Sequence, residues 1–234
     1  MSNKSHSSDS KVVDNNLEHN VGELFSKSEQ FIEKNKKLII GGIAVIILII
    51  VGVVAVRHLY LAPKEKEALN AIFRGQHYFQ QEQWDKALYG DSVQYIGFEE
   101  IADEYGLTKT GKLAKAYAGV CYYHKGDYEK AVSYLKAFSA SDQLIDPVIT
   151  GLIGDCYVDM DQIEDGIDFF LKAASKADDS TISPVYLKKA GRAYEHLGNY
   201  RKAVKTYTTI KEKYPAGVEA QDIDKYIERA QAKI

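Results

Sequence analysis

Between Gly75 and Ala203 one four-residue frame recurs four times, with internal spacings of three, six and three residues. Its copies are Gly75, Tyr78, Trp84 and Ala87; Gly119, Tyr122, Tyr128 and Ala131; Gly154, Tyr157, Ile163 and Gly166; and Gly191, Tyr194, Tyr200 and Ala203. A small residue lets a second helix approach the first, an aromatic three positions on fills the space beside it, and a second small residue meets the same crossing from the next helix. In the second and fourth copies the turn between them is Gly126-Asp127 and Gly198-Asn199, residue types that tolerate left-handed backbone angles. Each copy therefore reads as an antiparallel helix hairpin, and the chain as all-α with its hairpins stacked into a solenoid.

The last three copies begin 35 and 37 residues apart, close to the tetratricopeptide period of about 34. The segment AYAGVCYYHKGDYEKAVSYL, which ends at Leu135, resembles the tetratricopeptide consensus closely, and Gly191 to Pro215 resembles it nearly as well. The resemblance covers most of residues 67–217 and implies about four hairpins. Residues 218–234 follow as a capping helix, with Ile223, Ile227 and Ala230 on one side to cover the last repeat's exposed core. The third copy departs from the pattern, with Gly166 in the alanine place and Asp161-Gln162 at the turn, so its hairpin is expected to be looser. The first two copies stand 44 residues apart. The surplus, roughly ten residues, falls near 88–106, where Gly90 and Gly97 bracket a break. That insertion is expected to be either a surface loop or a contact surface.

Ahead of the repeats, Leu38 to Val56 are 19 consecutive uncharged residues, enough as a helix to cross a hydrocarbon core of about 30 Å. The long segment before them and the lack of an A-x-A site argue against a cleaved signal peptide. Lys34, Lys36 and Lys37 abut the span, with Lys27 earlier, against Arg57, Lys64 and Lys66 beyond it. This bias, with the short tail, predicts a cytoplasmic N-terminus and exported repeats. Residues 1–20, rich in Ser, Asn and Asp, are expected to be disordered. Residues 21–37 read as a juxtamembrane amphipathic helix resting on lipid, 38–56 as the transmembrane helix and 57–66 as a linker. Gly41, Gly42, Ala44, Gly52 and Ala55 supply no pair of small residues four apart, so the span reads as a plain anchor.

No phosphate loop, dinucleotide fingerprint, zinc pattern or activated nucleophile is present, so no catalytic, cofactor-binding or metal-ligating residue is assigned and no enzyme is expected. The net charge of −3 carries no basic footprint for nucleic acid, and no small-molecule substrate is implied. Cys121 and Cys156 occupy equivalent places one residue before a frame tyrosine. Equivalent helices stack about 10 Å apart, beyond bridging distance, so both are expected as small buried core residues.

The tetratricopeptide resemblance further implies that the inner face of the first helices lines a groove for a peptide or partner helix. By position that groove would include Tyr123, His124, Asp155, Asp159, Lys188, Arg192, Glu195 and His196. Lys188 and Arg192 stand four apart and could hold a partner's carboxylate, with Glu195 close enough to neutralise them. A plain solvated face is the alternative, and the favoured one. The order of cytoplasmic tail, FIEKNKK, span, irregular first repeat and stretches such as GKLAKAYAGV resembles the YfgM-type family of bacterial inner-membrane proteins. That resemblance implies an ancillary role beside the Sec translocon, passing emerging chains to periplasmic chaperones. The alternative function is a structural scaffold assembling envelope machinery without binding unfolded clients.

Overall fold

The computed structural model describes residues 34–91, 93–138 and 144–234. The expected tail and most of the juxtamembrane helix lie outside these residues. Two compact units are present, Met1–Tyr60 and Leu61–Ile234.

In the first unit, helix α1 spans Lys36–Ala55 and a π-helical turn follows at Val56–Leu61. No charged residue interrupts α1 after Lys37, and none of its side chains is buried. Its 20 residues extend about 30 Å, and the window that qualifies it as a membrane span has a mean hydropathy of 3.3. One helix is therefore long and apolar enough to cross a membrane, with its backbone bonded internally as hydrocarbon requires.

The second unit is all helical among the described residues. Its helices are α2 (Ala62–Gln80), α3 (Trp84–Tyr89), α4 (Phe98–Glu104), α5 (Lys109–His124), α6 (Tyr128–Ala137), α7 (Ile145–Asp159), α8 (Ile163–Ala177), α9 (Ser183–His196), α10 (Tyr200–Lys213) and α11 (Ile223–Gln231). Residues 57–66, expected as a linker, are helical throughout, and Pro63 closely follows the π-helical turn, a local irregularity of the helix beside the residue that lacks an N–H.

The frame becomes geometry at every hairpin. All eight of its small residues are buried. A Cβ on Gly119 would stand 2.7 Å from Leu135, on Gly154 2.7 Å from Phe170, and on Gly191 2.7 Å from Tyr207. In each case the obstructing side chain lies sixteen residues on, on the second helix, so glycine is the socket for one large residue. The turns share a further rule. Seven residues after each frame glycine the backbone is left-handed, at Glu82 (φ 55), Gly126 (φ 78), Asp161 (φ 61) and Gly198 (φ 70).

The third hairpin is not loosened by its second glycine. A Cβ on Gly166 would lie 3.0 Å from the Gly154 carbonyl oxygen, and one on Gly154 3.1 Å from that of Gly166. The two backbones approach one another because neither residue carries a side chain.

In the first hairpin the second helix is split into α3 and α4. The insertion between and within them is core material, with Tyr95, Phe98, Ile101 and Ala102 all buried. Asp91 organises it: its Oδ1 accepts from the backbone N–H groups of Val93, Gln94 and Tyr95 at 2.9–3.1 Å, and its Oδ2 from the Tyr78 hydroxyl. These bonds hold the Asp91 carboxyl well below the usual carboxylate range. Tyr95 donates to the Ala87 carbonyl at 2.7 Å, and its ring and that of Phe98 occupy the socket over Gly75. At the other end α11 packs against α10, burying Ile223 and Ala230.

Candidate functional site

The first helices of the hairpins are α2, α5, α7 and α9, and at two of the three joints between them the residue after the frame glycine bonds to the residue two before the next one. Gln76 donates to the Tyr117 hydroxyl at 3.3 Å. Val120 and Leu152 pack against the same apolar core. Asp155 takes the Lys189 ammonium with both oxygens at 2.7–2.8 Å. Arg192 is the fourth member of this row, and among the described residues no carboxylate comes within 4 Å of it.

Measured against these links, the expected groove residues fall into three groups. Tyr123, Asp155 and Asp159 lie together where α5 meets α7. Burial, then the charges of Asp159 and Asp155, push the Tyr123 hydroxyl up to about 12. Burial likewise raises the Asp155 carboxyl, and Lys189 only partly opposes it. The second group faces the C-terminal cap. Lys188 reaches Asp222 at 2.7 Å and lies 4.5 Å above the Tyr226 ring. Glu195 accepts from the Tyr207 hydroxyl at 2.6 Å and from Arg229 of α11 at 2.6 and 3.0 Å. Burial pushes the Glu195 carboxyl up, but these hydrogen bonds outweigh it and the net shift is downward.

Lys188 and Arg192, whose pairing as a carboxylate clamp is the less favoured reading beside a solvated face, thus have different surroundings. Lys188 and Glu195 are consumed by a cap whose acidic and basic partners lie more than thirty residues downstream. His124 is displaced as well. Its ring stacks flat on Trp84, with centroids 4.2 Å apart, so it is occupied by the first hairpin.

The third group, Arg192 and His196, is exposed and lines a cleft of about 490 Å³ between α7, α8 and α9. Asp155 and Lys189 form one edge, and Val158, Ile163, Phe170 and Ala193 the apolar floor. The floor was legible only in part: Ile163 is a frame residue, whereas Phe170 is set by its distance from Gly154. The cleft can hold an apolar side chain beneath a cation. Among the described residues no group of His, Cys, Asp or Glu could hold a metal ion. Cys121 and Cys156 are fully buried free thiols, and burial pushes both up to about 12, far from the reactive thiolate range.

Two stretches of the chain, residues 114–141 and 187–216, match the tetratricopeptide repeat family. They coincide with the second and fourth hairpins and their leading helices. No curated protein matches the chain. Repeats of this kind, with hairpins stacked as observed, indicate a protein–protein interaction adaptor.

Proposed function

We propose that the chain is an adaptor anchored in a bacterial inner membrane, which holds its repeats on the periplasmic face and receives a partner chain in the groove of α2, α5, α7 and α9. The observation that carries this reading is the unfilled end of the linking row. Arg192 lines an apolar cleft and, among the described residues, has no carboxylate within 4 Å. An incoming segment with an acidic residue beside an apolar one meets both requirements. The apolar helix α1 supplies the anchor, and the lysines before it favour a cytoplasmic N-terminus. The YfgM-type resemblance supports a role beside the Sec translocon, with hand-over to periplasmic chaperones.

Crosslinking in intact membranes tests this, using photoreactive residues at Tyr123 and His196 in the native chain and in Arg192→Glu. Arg192→Glu is cleaner than a double reversal, because Lys188 serves the cap. Translocon components and chains in transit should be captured by the native protein and lost with Arg192→Glu. Capture of neither by the native protein overturns the translocon reading. A fixed set of folded envelope proteins unaffected by Arg192→Glu identifies a structural scaffold instead. Protease added to spheroplasts should cut the repeats and spare the segment before the span; protected repeats would invert the topology and remove the periplasmic assignment.

A further inference from the structure

The joints between successive hairpins repeat, so a joint that departs from its neighbour stands out. Where the fourth hairpin docks on the third, Tyr186 is buried and its ring stacks near Phe170, with centroids 6.4 Å apart. One repeat earlier the equivalent residues are Ile149, five before the frame glycine Gly154, and Leu135, sixteen after the frame glycine Gly119. Two rings are thus replaced by two aliphatic side chains. A cleft of about 270 Å³ opens there between α6, α7 and α8, with Leu135, Phe138, Ile149 and Phe169 in its wall.

Its mouth is cationic. Lys136 from α6 and Lys172 from α8 both lie within 6 Å of the Phe169 ring centre. Lys136 donates to the Tyr157 hydroxyl at 2.6 Å, a neutral partner. Among the described residues no carboxylate comes within 4 Å of either ammonium. The third lysine, Lys176, is bound by both oxygens of Asp146 at 2.7 Å. An anion at this mouth meets two ammonium groups that no carboxylate of the described residues neutralises. In the next joint the places of Lys136 and Lys172 are taken by Leu171 and Thr209, so the joint that carries the rings lacks the charge.

We infer that this cleft, on the second-helix side of the array and separate from the Arg192 groove, is a docking site for an acidic protein segment that inserts one aromatic side chain between flanking carboxylates. The ring takes the space that Tyr186 and Phe170 fill one joint later, and the carboxylates answer Lys136 and Lys172. The site works independently of what the inner groove binds.

The full-length protein in zwitterionic nanodiscs is titrated with acetyl-Glu-(4-fluoro-Phe)-Glu amide, followed by fluorine NMR. The native chain should bind, and the Lys136→Gln/Lys172→Gln double variant should weaken binding about tenfold. Raising salt from roughly 0.05 to 0.5 M should weaken it severalfold. Replacing the peptide's ring by Ala should abolish binding. Ile149→Tyr, which restores the ring of the next joint, should also abolish it; if that variant does not fold, the lysine pair decides. Absence of binding by the folded native chain overturns the inference, as does binding indifferent to the lysine pair. Loss on Arg192→Glu instead would put the peptide in the inner groove and refute the second site. A response to dihexanoyl phosphatidylglycerol but none to the peptide would make it a lipid site, and the inference would be wrong.

Discussion

The substitution Gly191→Ala isolates the physical role of the frame. Alanine is the better helix former by about 1 kcal/mol, so propensity alone predicts a more stable protein. The structure predicts the reverse. A methyl group at 191 would stand 2.7 Å from Cδ1 and Cζ of Tyr207 and closer still to Cε1. Tyr207 is fully buried, its ring lies 5.5 Å from that of Tyr226, and its hydroxyl is tied to Glu195. The ring has no vacant space to turn into. Overpacking costs about 1–3 kcal/mol, and a displaced hydroxyl forfeits a hydrogen bond to a charged group, worth about 1.5–3 kcal/mol. Set against the propensity gain, the net loss is about 1.5–5 kcal/mol. In a chain of this size that lowers the melting temperature by roughly 3–20 °C, read by circular dichroism on the full-length protein in detergent. The coupling is checked in a Tyr207→Ala background, where the added methyl meets a cavity and should be neutral or stabilising. A Gly191→Ala protein that melts at or above the native temperature refutes the socket argument.

Two further outcomes follow from local geometry. Glu82 holds a left-handed turn angle that its equivalents Gly126 and Gly198 hold without a side-chain penalty, so Glu82→Gly should stabilise by about 0.5–1 kcal/mol, while Gly126→Ala should destabilise by about 1–2 kcal/mol despite the open space around it; thermal melts with the opposite signs would contradict the shared turn rule. Glu195 has a folded pKa below its usual 4.5, so its stabilisation of the cap is complete above about pH 4.5 and is lost as pH falls through the folded value. Hydrogen exchange in α11 should therefore quicken on acidification, and an equal pH dependence in Glu195→Gln would show that the carboxylate is not responsible.

The hairpins were readable because frame residues are constrained locally: Gly119, Tyr122, Tyr128 and Ala131 sit within thirteen residues and encode one crossing. The apolar run of α1 was readable for the same reason. Longer-range assignments were not. Lys188 and Glu195 look like open groove residues until Asp222 and Arg229 arrive from the cap, and His124 until Trp84 of another hairpin meets its ring. The insertion offered no sequence pattern that distinguishes a loop from core, since Tyr95 and Phe98 are buried by Gly75, some twenty residues before them. The sixteen-residue partner of Gly119, Gly154 and Gly191 was invisible because it is Leu, Phe or Tyr by turns, constant in bulk but not in type.

The close backbone approach of Gly154 and Gly166 lies where two clusters of buried apolar side chains meet. Buried apolar side chains form one cluster that ends at Cys156 and another that begins at Ile163, so the boundary falls inside a single hairpin. In a linear array, stability is the sum of blocks and the joints between them. Side chains bridge that boundary, with Phe169 of α8 packed against the first cluster and Val158 of α7 against the second, so the glycine crossing couples the two blocks through backbone contact and side-chain packing together.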